Sequence, residues 1–118
     1  MKLGLEGKTA IVTGGSRGIG LETCRLLAEE GVKVLICAQR DDALAEARTD
    51  IEKTTVAKVE TLSLDVTDLK QIEQLPMVAR DRLGRIDILV NNAGTGTYKP
   101  FLEVTDEELQ YGMAINFF

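Results

Sequence analysis

One stretch of the sequence has residue types and spacing that favour phosphate chemistry, a glycine-rich turn over Thr13–Gly20. Its residues Gly14, Gly18 and Gly20 are spaced G-x-x-x-G-x-G, which differs from the common G-x-G-x-x-G fingerprint. These glycines can still supply a tight turn, a close approach of backbone to a pyrophosphate and close helix packing. A following helix would direct free N–H groups at the phosphates. The turn therefore predicts a dinucleotide site, and a merely flexible turn is the alternative.

A second candidate group lies about 20 residues further on, where an acid or a base ordinarily selects between the nicotinamide cofactors. An acid binds the ribose 2′-hydroxyl of NAD, whereas a base accommodates the 2′-phosphate of NADP. Residues 38–42 read Ala-Gln-Arg-Asp-Asp, so the first charged residue is Arg40. Its guanidinium suits a phosphate, although Asp41 could draw it away. We expect NADP, with NAD as the less favoured alternative.

The composition argues against several other kinds of chemistry. The 118 residues include 14 basic and 19 acidic side chains and no histidine, for a net charge of −5. A nucleic-acid partner is therefore not expected, and neither imidazole catalysis nor a metal site is predicted. We interpret Cys24 and Cys37 as small buried apolar residues rather than as a disulfide. The sequence has no signal-like segment and no apolar run long enough to span a membrane, so we expect a soluble, cytoplasmic protein without a membrane partner.

These candidate residues must be positioned by a regular alternation of strands and helices. Short β-branched runs predict strands over Lys8–Thr13, Val32–Cys37, Val59–Val66 and Ile86–Val90. Apolar residues at helical spacing predict helices over Ile19–Glu30, Asp42–Lys53, Asp68–Leu83 and from Thr105 onward. Such alternation is typical of a doubly wound parallel sheet, which is an α/β fold of the Rossmann type, in a single domain of residues 1–118.

Local signals mark the starts of the last two helices. Asp68 with Gln71, and Thr105 with Glu108, have the spacing of capping boxes. Pro76 falls inside the third predicted helix, where it should remove one backbone hydrogen bond at a cost of about 3 kcal/mol. That cost is avoided if the helix kinks or restarts there, so the course of this helix is left open.

Four motifs together resemble the N-terminal half of the short-chain dehydrogenase/reductase family, of the 3-oxoacyl-carrier-protein reductase type. They are the Thr13–Gly20 turn, Asp65-Val66, the Asn-Asn-Ala-Gly run at 91–94, and Asn116, in the family's order and spacing. The resemblance spans the whole chain and implies the strand order 3-2-1-4. The last residues are two phenylalanines in a helix without a cap, so we expect a chain truncated before the family's catalytic segment.

The resemblance implies a cofactor-binding role for each matching residue. Gly14, Ser16, Arg17, Gly18, Ile19 and Gly20 would line the pyrophosphate and ribose, Asp65 and the Val66 N–H would meet the adenine, and Asn92, Ala93 and Gly94 would lie along the nicotinamide ribose. Asn91 would hold neighbouring strands together. From the residues alone, Asp65 is equally well a strand-end cap, and the two asparagines are turn formers.

The resemblance also assigns a catalytic position to Asn116, which would position a lysine through water. Asn116 shares a helix face with Leu109 and Met113, and an amide buried on such a face needs hydrogen-bond partners. The alternative is an asparagine on the helix surface.

The resemblance bears on the choice of cofactor as well. Ala38 stands where family members that prefer NAD carry an aspartate, and Arg17 is a second basic position that the family uses with NADP. Against this, the commonest NADP pattern has its arginine at the position of Gln39.

The family transfers hydride between a nicotinamide and a carbonyl or alcohol, with a serine, and a tyrosine and lysine four residues apart. Neither Tyr98 nor Tyr111 is followed by a lysine four residues later. We interpret Tyr98 as a loop residue and Tyr111 as a helix residue packing on the sheet. The expected function is the cofactor half of an NADP-dependent reductase, a homo-oligomer whose full-length form takes a small carbonyl or alcohol substrate. The alternative is a complete nucleotide-binding module without chemistry.

Overall fold

The computed structural model describes residues 2–95 and 99–116, which form one parallel sheet with flanking helices. The strands are β1 (Thr9–Thr13), β2 (Lys33–Ala38), β3 (Val59–Ser63) and β4 (Ile88–Val90). The helices are α1 (Gly18–Glu29), α2 (Asp41–Glu52), α3 (Leu69–Leu83) and α4 (Asp106–Asn116), with a 3-10 turn at Phe101–Glu103. The strand order β3-β2-β1-β4 confirms the predicted doubly wound arrangement.

Strand β1 lies in the interior of the sheet, and all five of its residues are buried. It pairs in parallel with β2, from Thr9 opposite Lys33 to Thr13 opposite Cys37. On its other side it pairs in parallel with β4. Because the chain order changes direction here, the carboxyl end of β1 is the topological switch point, where such sheets bind ligands.

Two apolar layers cover the faces of the sheet. One contains Val12, Val34 and Ile36 with residues of α1 and α2. The other contains Ile11 and Leu35 with residues of α3. Successive strand residues point to opposite faces, so the continuous apolar runs of β1 and β2 supply both layers.

Helix α3 begins at its predicted cap and passes through its proline. The Asp68 carboxylate accepts hydrogen bonds from the N–H groups of Lys70 and Gln71, at 3.0 and 3.4 Å. The helix then continues past Pro76 to Leu83 without ending or restarting. The helix therefore tolerates the loss of one backbone hydrogen bond at Pro76.

Strands β3 and β4 are shorter than predicted by two residues or more, and an aspartate carboxylate makes hydrogen bonds next to each shortened end. Before β4, the Asp87 carboxylate accepts a hydrogen bond from the Thr9 N–H at 2.9 Å. After Ser63, the Asp65 carboxylate accepts one from the Thr67 N–H at 2.9 Å and turns the chain out of β3.

Helix α4 begins with the predicted capping box and has no buried residue. The Glu108 N–H donates to the Thr105 hydroxyl, which in turn donates to the Glu108 carboxylate, both at 3.1 Å. Leu109 and Met113 are 54% and 38% exposed, since little of the described chain covers this face. Across residues 2–95 and 99–116, no helix is both long and apolar enough to cross a bilayer.

Candidate functional site

A cleft of about 580 Å³ lies beyond the carboxyl ends of β1, β2 and β4. Its size is typical of small-molecule sites. It brings together most of the predicted cofactor residues, namely Gly14, Ser16, Arg17, Gly18, Ile19, Arg40, Val66, Asn92, Ala93 and Gly94. The other three predicted residues, Gly20, Asp65 and Asn116, are not among those lining it.

The glycine turn is packed closely against its neighbours. The N–H groups of Gly14 and Gly15 both donate to the Cys37 carbonyl, at 2.8 and 3.3 Å. Gly14 has a φ of +65°, and a Cβ on it would lie 2.9 Å from the Ala93 Cα. A Cβ on Gly20 would overlap the Gly14 carbonyl oxygen. The turn is therefore a fixed element that needs its glycines, and it is not merely a flexible one.

The N-terminus of α1 presents free N–H groups at the cleft. The first bond into this helix runs from the Leu21 N–H to the Arg17 carbonyl, at 3.2 Å. Within the described residues, the N–H groups of Gly18, Ile19 and Gly20 have no acceptor, as expected for the first turn of a helix. With the helix dipole, they can bind an anion.

Thr13 joins the end of β1 to the loop that follows β4. Its hydroxyl oxygen accepts hydrogen bonds from the N–H groups of Asn92 and Ala93, both at 3.1 Å. The hydroxyl also donates to the Val90 carbonyl at 3.4 Å. Thr13 is only 7% exposed, so these bonds are largely shielded from water. This residue of the motif has a positioning role that its sequence context does not specify.

Asn92, rather than its neighbour Asn91, links the loop after β4 to the end of β1 in the described residues. The Asn92 Nδ2 donates to the Gly14 carbonyl at 3.0 Å. Asn91 is exposed and makes no hydrogen bond within the described part of the chain, so its bridging role stays a prediction. Strand alternation explains the difference, because Asn92 continues the side of Ile88 and Val90, which pack towards α1.

Asn116 fixes the same loop from α4. Its Oδ1 accepts a hydrogen bond from the Thr95 N–H at 3.0 Å, and its Nδ2 donates to the Thr95 carbonyl at 2.6 Å. A Cβ on Gly94 would lie 2.6 Å from this Oδ1, so glycine leaves room for the amide. Asn116 is exposed, and the expectation of a buried amide is therefore wrong, because the face it shares is itself uncovered.

The turn after β3 uses Asp65 as a cap and leaves groups free for a ligand. The Asp65 Oδ1 accepts hydrogen bonds from the Thr67 hydroxyl and N–H, at 2.6 and 2.9 Å, and these lower the pKa of the carboxyl. The Gln71 Oε1 accepts a hydrogen bond from the Asp65 N–H at 2.8 Å. Across the described residues, the Asp65 Oδ2 and the Val66 N–H have no partner.

Arg40, the residue before α2, is paired with Asp42. Its Nε and Nη2 donate to the two carboxylate oxygens, at 3.1 and 2.5 Å. This pairing raises the pKa of Arg40 and lowers that of Asp42. An aspartate does pair with Arg40, but it is Asp42 and not the expected Asp41. Side chains tilt towards the N-terminus of a helix, which directs Asp42 back over Arg40.

The remaining cleft residues belong to no binding motif. They are Cys37, Ala38, Gln39, Ala43, Leu64, Thr95, Tyr111 and Ile115. Several of them could have been found from the sequence only by their position, because they end or follow predicted strands. Tyr111 is 50% exposed and lines the cleft, so the prediction that it packs on the sheet is wrong. Tyr98, interpreted as a loop residue, lies outside the described residues.

The two cysteines are free and buried, in the two different apolar layers. Burial raises the pKa of both Cys24 and Cys37 to about 12. Both thiols are therefore protonated near neutral pH and are poor nucleophiles. This confirms their interpretation as small apolar residues.

A doubly wound sheet, an open helix N-terminus at its switch point and a cleft lined by glycines define a dinucleotide-binding type of α/β protein. Residues 8–118 match the family model described as short chain dehydrogenase. The chain therefore belongs to the short-chain dehydrogenase/reductase family, and the resemblance of its motifs is confirmed.

Known relatives extend well beyond the length of this chain. A tropinone reductase homolog of Arabidopsis thaliana is 42% identical over 113 residues, which are 95% of this chain and 42% of the relative. An L-2,3-butanediol dehydrogenase of Corynebacterium glutamicum is 38% identical over 113 residues, covering 94% and 43%. The crystal structure of L-sorbose reductase from Gluconobacter frateurii, complexed with NADPH and L-sorbose, superimposes with a TM-score of 0.88 at 34% identity, covering 98% and 44%. The chain thus spans less than half of each.

Proposed function

We propose that this chain binds NADP(H) in the cleft as the cofactor half of an oxidoreductase that interconverts a carbonyl and an alcohol. The observation that carries the choice of cofactor is the charge of the cleft. Among its described lining residues, the charged side chains are Arg17 and Arg40, although the chain has a net charge of −5. This local charge favours a 2′-phosphate over a 2′-hydroxyl. Ala38, at the end of β2, offers no carboxylate to the hydroxyl.

The hydrogen-bonding groups in the cleft and beside it suit the parts of a dinucleotide. The pyrophosphate would lie on the free N–H groups of α1, beside Gly14, Ser16 and Arg17. The adenine would meet the free Val66 N–H and Asp65 Oδ2. The nicotinamide ribose would lie along Asn92, Ala93 and Gly94, which Thr13 and Asn116 hold in place. When bound, the nicotinamide supplies or accepts the hydride.

The chain's own residues would orient groups rather than transfer a proton. Asn116 would position a catalytic lysine through water while its amide holds the loop after β4. The sequence contains no tyrosine followed by a lysine four residues later. We therefore place that pair, and the serine, in a segment beyond the domain of residues 1–118. The domain alone would not reduce a ketone, because nothing would protonate the alkoxide.

The coarse substrate class rests on the relatives, whose names are those of reductases and dehydrogenases. The narrower likeness to 3-oxoacyl-carrier-protein reductases stays a prediction. A cytoplasmic location is proposed because free thiols suit a reducing compartment. A homo-oligomer is proposed because Leu89 and Leu109 are 55% and 54% exposed, which is apolar surface that association would bury.

The cofactor assignment is tested by titrating NADPH and NADH into the 118-residue chain by calorimetry. NADPH should bind more tightly, and Arg40→Ala should weaken NADPH by roughly tenfold or more while NADH changes little, because the lost contact is to the 2′-phosphate. Arg48→Ala is the matched control, since Arg48 lies on α2, pairs with Glu52 and does not line the cleft. Equal weakening of both cofactors by Arg40→Ala would contradict the assignment.

A further inference from the structure

The carboxylate of Asp42 already occupies the position at the start of α2 where another anion would be attracted. It accepts both hydrogen bonds of the forked contact from Arg40. It also lies in the first turn of the helix, where the dipole favours negative charge. The Arg40 guanidinium, and to a lesser extent the Ala43 backbone N–H, lower the pKa of this carboxyl. The Asp42 carboxylate therefore receives the same kinds of contact that a phosphate would receive at this position.

We propose that Asp42 competes within the chain for the 2′-phosphate subsite and so reduces the preference for NADP over NAD. The inference rests on the proposed function, because it assumes that Arg40 receives the 2′-phosphate. A bound 2′-phosphate must displace Asp42 from Arg40 or share the guanidinium with it, which brings two anions together. NAD presents only a hydroxyl there and leaves the Arg40–Asp42 pair intact.

The exposure of the pair favours competition over a role in holding Arg40 in place. The Arg40 and Asp42 side chains are 74% and 66% exposed, and solvated pairs of this kind restrain a side chain weakly. The contact engages Nε and Nη2, an edge of the guanidinium that also suits a phosphate. Arg40 lines the cleft and Asp42 does not, so removing the carboxylate leaves the lining of the cleft unchanged.

Asp41 provides a matched control for the loss of one negative charge. It is the same residue type in the same helical turn, and it makes no ion pair among the described residues. Glu46 acts on Arg40 only through its charge and makes no hydrogen bond to it. An effect of net charge would therefore appear in Asp41→Asn, whereas competition would appear only on changing Asp42.

The experiment measures NADPH and NADH dissociation constants for the 118-residue chain and four variants by calorimetry at fixed ionic strength. The variants are Asp42→Asn, Asp41→Asn, Arg40→Ala, and Arg40→Ala combined with Asp42→Asn. Asp42→Ser is added as a second uncharged side chain, and it repeats the test if asparagine disturbs the fold. Asp42→Asn should tighten NADPH by about two- to fivefold, the range of an exposed ion pair, and change NADH by less than about twofold.

The double variant separates competition from other effects. Without Arg40, removal of the Asp42 carboxylate should tighten NADPH no more than Asp41→Asn does. Weaker NADPH binding in Asp42→Asn would overturn the proposal and make Asp42 a positioning residue. No change, or equal tightening of both cofactors, would also overturn it. If Arg40→Ala weakens the binding of both cofactors equally, the proposed NADP function is contradicted. If Arg40→Ala weakens only NADPH binding and Asp42→Asn changes neither dissociation constant, only the proposed competition is contradicted.

Discussion

Replacing Thr13 with valine should detach the loop after β4 from β1 while keeping the shape of the side chain. Valine removes the acceptor for the N–H groups of Asn92 and Ala93, and both would be left partly unsatisfied. A buried donor without a partner costs about 1–3 kcal/mol. Both residues are half-buried, so water can reach them in part, and the lower end of the range applies. The expected loss of unfolding free energy is about 2 kcal/mol, which is roughly a 30-fold change in the equilibrium.

Thr13→Ser is the control, because it keeps the hydroxyl and removes only a methyl group at a cost of about 1 kcal/mol or less. Urea unfolding gives the free energies, and hydrogen exchange of the amides of Asn92 and Ala93 reports on the same bonds locally. Those two amides should exchange faster in the valine variant and stay protected in the serine variant. NADPH binding should weaken in parallel, since the loop lines the cleft. Amides that stay protected in the valine variant, or a serine variant as unstable as the valine variant, would refute this role of the Thr13 hydroxyl.

Two further predictions concern packing and protonation. Gly20→Ala should destabilise the chain by about 1–3 kcal/mol and weaken cofactor binding, because its Cβ would overlap the Gly14 carbonyl. Gly112→Ala, in α4 with no atom within 4 Å of the added Cβ, should be neutral or stabilising by up to about 1 kcal/mol in urea melts, and equal losses would contradict this. Burial raises the pKa of Cys24 and Cys37 from 9.0 to about 12. Stability should therefore fall as the pH rises from about 9 to 12, because the unfolded chain loses its thiol protons first, by up to about 1.4 kcal/mol per pH unit for each thiol. Urea midpoints that are flat across this window would show that the thiols are not linked to folding.

The order of the elements could be predicted because its signals are local. The β-branched runs of β1 and β2, and the capping residues Asp68 and Thr105, lie in the elements that they specify. The lengths of β3 and β4 could not be predicted in the same way. Just before β4, the Asp87 carboxylate accepts a hydrogen bond from the Thr9 N–H, 78 residues away in the chain. Such a contact exists only once the sheet has formed.

The sequence motifs predicted which segments form the candidate site, but they did not predict which of two adjacent side chains makes each contact. Most of the glycine-turn residues line the cleft as expected. The choice of Asn92 over Asn91, and of Asp42 over Asp41, depends on which way neighbouring side chains point in the folded chain. In a strand, neighbouring side chains point to opposite faces. Where two identical residues are adjacent in the sequence, the pattern therefore does not show which of them makes the contact.

Net charge is a poor guide to what this cleft binds. A charge of −5 repels phosphates at a distance, yet such repulsion is screened within about 10 Å at ordinary ionic strength. Under the proposed function, the groups that would contact the phosphates are the free N–H groups of α1 together with Arg17 and Arg40. Arg40 is the contact group already paired with an internal anion, Asp42. If Asp42 competes as proposed, the preference between cofactors would depend less on how many cations line the cleft than on whether that pair opens.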